Sequence, residues 1–230
     1  MPSVPIKAQA FLANIPLFKE MRPEEIDRIA AGTSELHVAR GDVLFRRGDP
    51  CEGFHVVIYG QIKLAFASPG GAEKVVEIMA AGQSFGEAVM FMDKPYVVYA
   101  QALADSMLLH IAKSAVFEEI ERDSKFARRM IAGLSRRLHG LVSDLESYTL
   151  RTGTQRVIGY LLRGEPEPDA GNEPVSVALP TRKSIIASRL NLTPEHFSRV
   201  LHDLSEAGLI KVKGKSVVIL DIARLRVHEG

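Results

Sequence analysis

The sequence predicts an α+β chain in three parts: a strand-rich N-terminal portion, one long helix, and a C-terminal helix pair followed by a hairpin. Three observations carry this reading. Between residues 35 and 112, short apolar and β-branched runs alternate with glycine-centred turns at 41–42, 48–50, 59–60, 69–71 and 81–82, the spacing of a compact antiparallel barrel or sandwich. From Ala127 onward, apolar residues recur at steps of four and three. Beyond residue 180, two helical segments are divided by only Asn191, Leu192 and Thr193.

Composition bounds the problem first. The chain has 230 residues, 46% hydrophobic and 25% charged, which is ordinary for a folded chain of one large or two small domains. One Cys permits no internal disulfide, so a reducing cytosol is expected and a cysteine-cluster metal site is excluded. Apolar runs such as 54–59 fall far short of the ~20 residues of a membrane helix. The N-terminus lacks a charged-then-apolar leader pattern, so neither secretion nor a membrane partner is expected.

Taking the elements in order, 11–18 and 23–31 read as helices, the second opened by Pro23, Glu24 and Glu25. Strands are expected at 43–45, 54–59, 62–67, 75–78, 96–100 and 107–111. The heptad positions Ala127, Ile131, Leu134, Leu138, Leu141, Leu145 and Tyr148 then form a seam, with Arg136, Arg137, Asp144 and Glu146 off it. An alternation held over three heptads favours a partner helix, hence a homodimer. That helix should stop at the Arg151-Thr152-Gly153 hinge. The expected division is a strand-rich domain at 1–115, a dimerisation helix at 116–150 and a second domain at 151–230.

Net charge is +1, but the sum conceals an asymmetry. Residues 151–230 hold 12 Lys and Arg against 9 Asp and Glu, while residues 1–150 hold 17 against 19. Between 180 and 216 the balance is seven against three, a local patch of the kind that meets nucleic acid.

Two helices, a three-residue turn and a hairpin (210–212 and 217–220 around Lys213-Gly214) describe a winged helix-turn-helix. Thr193 can cap the second helix, Pro194 suits its first position, and Asn191 tolerates a left-handed turn. On that helix Phe197, Val200, Leu201 and Leu204 make one apolar stripe; Glu195, Ser198, Arg199 and His202 make the opposite one. Arg can bond guanine bidentately, Glu can accept from cytosine, and Ser can serve either. The bland alternative is a solvated face with an i,i+4 pair between Glu195 and Arg199.

The segment 179–210, LPTRKSIIASRLNLTPEHFSRVLHDLSEAGLI, resembles the DNA-binding helix pair of the CRP/FNR superfamily of bacterial regulators. RGDVLFRRGD at 40–49 and QSFGEA at 83–88 resemble that superfamily's cyclic-nucleotide-binding-type β-roll, and the heptad helix sits where its dimerisation helix lies. The resemblance implies a regulator, not an enzyme, whose partners are double-stranded DNA, a second copy of itself and RNA polymerase, the last through the acidic, proline-rich 164–174 loop. It implies base reading by Glu195, Ser198 and Arg199 on a TTGAT…ATCAA-type inverted repeat, since the FNR branch carries E-x-x-S-R. The cyclic-AMP-receptor branch instead has Arg and Gly where this chain has Pro194 and Ser198. Phosphate or groove contacts are expected from Arg182, Lys183, Thr193, His196, His202, Lys213 and Lys215.

For the sensor, Gly86 and Glu87 match the start of the superfamily's phosphate cassette, but its Arg-Ser pair is replaced by Val97 and Val98. A buried phosphate would then lack its counter-charge, so cyclic AMP is not expected. An iron–sulfur cluster needs about four thiolates, and Cys51 is the one Cys. The run 85–96, FGEAVMFMDKPY, together with T-P-E-x-F-S-R at 193–199, resembles regulators of dissimilatory nitrate respiration. That resemblance implies haem and a nitric oxide signal, in an apolar pocket lined by Val89, Met90, Met92 and Val97. None of the seven His shows metal-ligand spacing. Two alternatives stay open: a cyclic-nucleotide-responsive regulator, and a ligand-binding regulatory subunit without DNA binding. No nucleophile triad, phosphate loop or carboxylate pair points to an enzyme, and Glu118 and Glu119 read as charges complementing a helix start.

Overall fold

The computed structural model describes residues 8–15, 18, 21–68, 70, 73–162, 174–179, 181–214 and 216–228. The chain divides into two compact units, Met1–His139 and Gly140–Gly230.

The first unit begins with α1 (Ala8–Leu12) and α2 (Pro23–Ala31). Glu25 anchors the start of α2 by accepting from the Arg22 backbone N–H at 2.7 Å and from its guanidinium at 2.8 and 3.0 Å. The strands follow as β1 (Thr33–Val38), β2 (Val43–Phe45), β3 (Gly53–Tyr59), β4 (Gln61–Ala67), β5 (Glu73–Ala80), β6 (Ser84–Phe85), β7 (Tyr99–Ala102) and β8 (Ser106–Ala112). Helix α3 (Glu87–Phe91) lies between β6 and β7, and α4 (Lys113–Arg122) and α5 (Ser124–Leu150) close the series. Two antiparallel four-stranded sheets result, in the orders β1-β8-β3-β6 and β2-β7-β4-β5. The β3–β4 turn requires glycine: Gly60 has φ +88°, and a Cβ there would fall 2.1 Å from Ser106 Oγ.

Central strand β3 explains why the sequence shows an unbroken apolar run rather than alternation. Phe54 and Val56 face one core with Met107, Leu109 and Ile111. Val57 faces the other, with Phe45, Ile62, Leu64 and Phe85. A strand buried on both faces has no polar side to display. Phe126 and Met130 of α5 pack into the first of these cores, Phe126 stacked on Phe18.

Several local expectations shift. Strand β1 lacks the apolar run by which the other strands are read, since Leu36 and Val38 alternate with Glu35 and His37, and β8 supplies its pairing through Thr33↔Ile111 to Val38↔Ser106. Strand β7 starts at Tyr99, three residues later than expected. The helix entering the dimerisation segment is broken at Asp123, whose φ −133° and ψ 105° are extended. Glu118 and Glu119 therefore sit inside α4, not at a helix start. Glu119, buried, accepts a bidentate pair from Arg28 at 2.8 Å each.

In the second unit, α6 (Gly153–Leu161) is followed by β9 (Val175–Ala178), α7 (Lys183–Arg189), α8 (Pro194–Glu206), β10 (Ile210–Lys213), β11 (Ser216–Ile219) and α9 (Ile222–Arg226). The expected hairpin gains a third strand, in the order β10-β11-β9. Four residues beside a proline-rich loop were too short a run to announce β9; pairing with β11 defines it. Val157, Leu161, Ile186, Phe197, Leu201, Leu204, Val217 and Leu225 form a single core.

Candidate nucleic-acid interface and effector region

The sequence builds α8 as an anchored, two-faced helix. Asn191 turns the chain at φ +57°, a conformation Asn reaches more readily than most residues. Thr193 caps the helix by accepting from the His196 N–H at 3.2 Å, and Pro194 occupies the first turn. Phe197, Val200, Leu201 and Leu204 are buried. The opposite stripe, Glu195, Ser198, Arg199 and His202, is exposed.

Among the described residues no ion pair joins Glu195 to Arg199, and both side chains are exposed. Their donors and acceptors face outward at a helix N-terminal half, where base edges would be reached in a major groove. His202 instead lies 3.3 Å from Glu206 on its own helix. His196 is exposed, yet its ring lies against Gly153: a Cβ on that glycine would sit 2.8 Å from the ring. Arg182, the N-cap of α7, and Lys213 on β10 are exposed, while Lys183 is half-buried. Lys215 and residues 164–173 of the acidic loop lie outside the described residues.

On α5 the seam positions Ile131, Leu138, Leu141 and Leu145 are exposed at 63%, 63%, 46% and 66%, while Ala127 and Leu134 are half-covered. Tyr148 is half-buried: its hydroxyl donates to the Arg189 carbonyl at 2.6 Å and accepts from the Arg189 guanidinium. A heptad count cannot distinguish an aromatic that faces a partner helix from one whose hydroxyl is used within its own chain.

In the first unit, Gly86 adopts φ +100° as the N-cap of α3. Glu87 is buried, and burial raises its carboxyl above the usual range, opposed by Ser84 and Arg137. Arg137 of α5 donates to the Ser84 carbonyl at 2.8 Å and to Glu77 at 2.9 Å, and lies 4.0 Å from Glu87. Sequence reasoning missed this cation because it sits on a helix some fifty residues beyond the cassette. Its off-seam place among the heptads was the available signal.

The residues of the expected apolar pocket lie in different surroundings. Met90 belongs to one core and Val89 to the other. Met92 and Val97 are 58% and 52% exposed, and Val98 only packs at the edge of the second core. Val89 and Met90 part because they are neighbours on the short helix α3, unread in the sequence, whose turn sends successive side chains in different directions. Among the described residues no group of three or more His, Cys, Asp or Glu could hold a metal ion.

A different polar cluster lies inside the barrel. His55, buried on β3, faces His110 on β8, with Nε2 and Nδ1 3.3 Å apart. The His55 ring stacks on Phe85. Burial, with the neighbouring His110, pulls His55 down to about 3, and burial also lowers His110. The Cys51 thiol, half-buried nearby in sequence, donates to the Gly53 carbonyl at 3.1 Å.

Residues 35–123 match the cyclic nucleotide-binding domain family, and residues 155–227 match the Crp-like helix-turn-helix domain family. The structure of DNR from Pseudomonas aeruginosa is 33% identical, covering 94% of this chain and 95% of that one, with a TM-score of 0.51. A CRP-like cAMP-activated global transcriptional regulator of Mycobacterium tuberculosis is 25% identical across 93% of this chain and 96% of its own length. FixK2 from Bradyrhizobium japonicum shares the fold at 19% identity, with a TM-score of 0.75 over 86% of this chain and 98% of that one. The chain belongs to the CRP/FNR family of DNA-binding transcription regulators, whose members are not enzymes. No helix among the described residues is long and apolar enough to cross a membrane.

Proposed function

We propose that this protein works as a homodimer on a TTGAT…ATCAA-like inverted repeat, activating transcription in response to an effector other than cyclic AMP. The observation that carries the DNA reading is the exposed trio Glu195, Ser198 and Arg199 on the capped start of α8. One Arg and one Glu can divide a single G·C pair between them, which is what each half-site of that repeat offers. The apolar stripe left exposed on α5 supports self-association, and a dimer sets two reading helices for half-sites about 34 Å apart. Arg182, Lys183 and Lys213, with Lys215, would contact phosphate and supply affinity without sequence preference. Activation through RNA polymerase rests on the family resemblance and the acidic composition of 164–174.

The effector reading follows from charge. Val97 and Val98 replace the phosphate-binding pair, and the Arg137 guanidinium beside Glu87 is already bonded to Glu77. A cyclic nucleotide would have to break that ion pair to gain a counter-charge. Fluorescent cyclic AMP should therefore show no saturable binding; tight saturable binding would overturn this. The nitrate-respiration resemblance makes nitric oxide, sensed through haem, the candidate effector, and this reading rests on that resemblance alone. Hemin titration tests it: a Soret shift near stoichiometry supports haem, and no shift counts against it. The decisive experiment for the DNA reading is an anisotropy titration with the inverted repeat against a scrambled duplex. Equal affinity for the two would sink it and favour a regulatory subunit that leaves DNA alone.

A further inference from the structure

We propose that Arg189, gripped by Asp144 and Tyr148, is the positioning residue that fixes the reading head to the end of α5; this rests on the DNA-binding reading above. Arg189 is the last residue of α7 and is only 8% exposed. Its Nη2 bonds Asp144 at 2.5 Å and its Nη1 bonds the Tyr148 hydroxyl, while that hydroxyl donates to the Arg189 backbone carbonyl at 2.6 Å. One residue is thus held by its side chain and its main chain together. The next two carbonyls, of Leu190 and Asn191, accept from Arg156 Nη1 of α6 at 2.8 and 3.2 Å.

These carbonyls end α7, where a helix has no partners of its own to offer. Here α5 and α6 satisfy them, so the turn leading into α8 is tied to both helices. Gly153, opening α6, completes the junction by lying against the His196 ring of α8. A displacement at the end of α5 is therefore passed to α7 and α8 as a unit. Burying a guanidinium–carboxylate pair is a poor way to gain stability, because desolvation offsets most of the attraction. The pair's directional geometry fits registration instead, since a forked guanidinium bonds two partners in fixed directions.

The test pairs a distance measurement with a DNA measurement on the full-length protein. Nitroxide labels at Asp203→Cys, in a Cys51→Ser background, report the separation of the two reading helices in the dimer. The unaltered clamp should give a narrow distance distribution, and Tyr148→Phe or Asp144→Asn a broad one. With the inverted repeat, the same variants should lose about tenfold or more in affinity as the two heads cease to engage together. Affinity for a duplex bearing one half-site should be unchanged. Arg189→Lys, which keeps the charge but not the fork, should fall between. Circular dichroism identifies any variant that fails to fold, and Tyr148→Phe removes only one hydroxyl. An unchanged distribution in folded Tyr148→Phe and Asp144→Asn overturns the clamp. Failure of the unaltered protein to prefer the repeat over a scrambled duplex overturns the DNA reading alone, and the distance arm still judges the clamp.

Discussion

Glu195 and Arg199 stand one helical turn apart, exposed and not engaged with each other, on a helix whose other face is buried. Truncating either to Ala should cost about 1–3 kcal/mol of discrimination between the inverted repeat and a single-base variant. Competition titrations at fixed salt measure this, and fold stability should hold because neither side chain packs. His55 gives the opposite kind of residue, buried and chemically idle at neutral pH. With its pKa pulled from 6.5 to about 3 in the folded state, the unfolded chain binds a proton that the native state refuses. Stability from this group is complete above pH 6.5 and is lost as pH falls from there toward 3. Between pH 6 and 4 the native protein should lose about 2–3 kcal/mol more than a His55→Phe variant, at about 1.4 kcal/mol per pH unit. Urea titrations at the two pH values read the difference, and parallel losses would refute it.

At the scale of elements, α8 depends on its entry more than its length. Thr193→Ala removes the one side-chain cap and should cost about 1 kcal/mol, seen as a lower urea midpoint with an unchanged slope. Helix α5 divides its apolar residues between two duties. Phe126 and Met130 are spent on the core of their own unit, whereas Ile131, Leu138, Leu141 and Leu145 remain uncovered. Leu138→Glu combined with Leu145→Glu should place carboxylates on a seam that needs apolar knobs. Sedimentation should then report a monomer with native circular dichroism, and half-site DNA binding should outlast binding to the full repeat.

For the molecule as a whole, the near-zero net charge is the sum of an acidic N-terminal part and a basic C-terminal part. Association with DNA should therefore weaken steeply with salt, through phosphate contacts made by the second unit alone. Lys213→Ala should reduce the slope of log affinity against log salt by about one and leave sequence preference intact. A changed preference with an unchanged slope would move Lys213 from the phosphates to the bases.

What the sequence determined by itself was whatever depends on local spacing. The glycine turns, the period switch at Ala127, the cap at Thr193 and the two faces of α8 are all set by residues within a turn or two of each other. Those features sufficed to order the parts of the fold and to nominate Glu195, Ser198 and Arg199. Tertiary structure decided matters that depend on residues far apart in the chain. Strands β1 and β9 exist because β8 and β11 pair with them. Arg137 reaches Glu77 and Ser84 from a helix fifty residues away, and the Tyr148 hydroxyl bonds the Arg189 carbonyl. Val89 and Met90, adjacent in the chain, go to different cores because α3 turns between them. Periodicity reports which side of an element is apolar; only packing decides what that side meets.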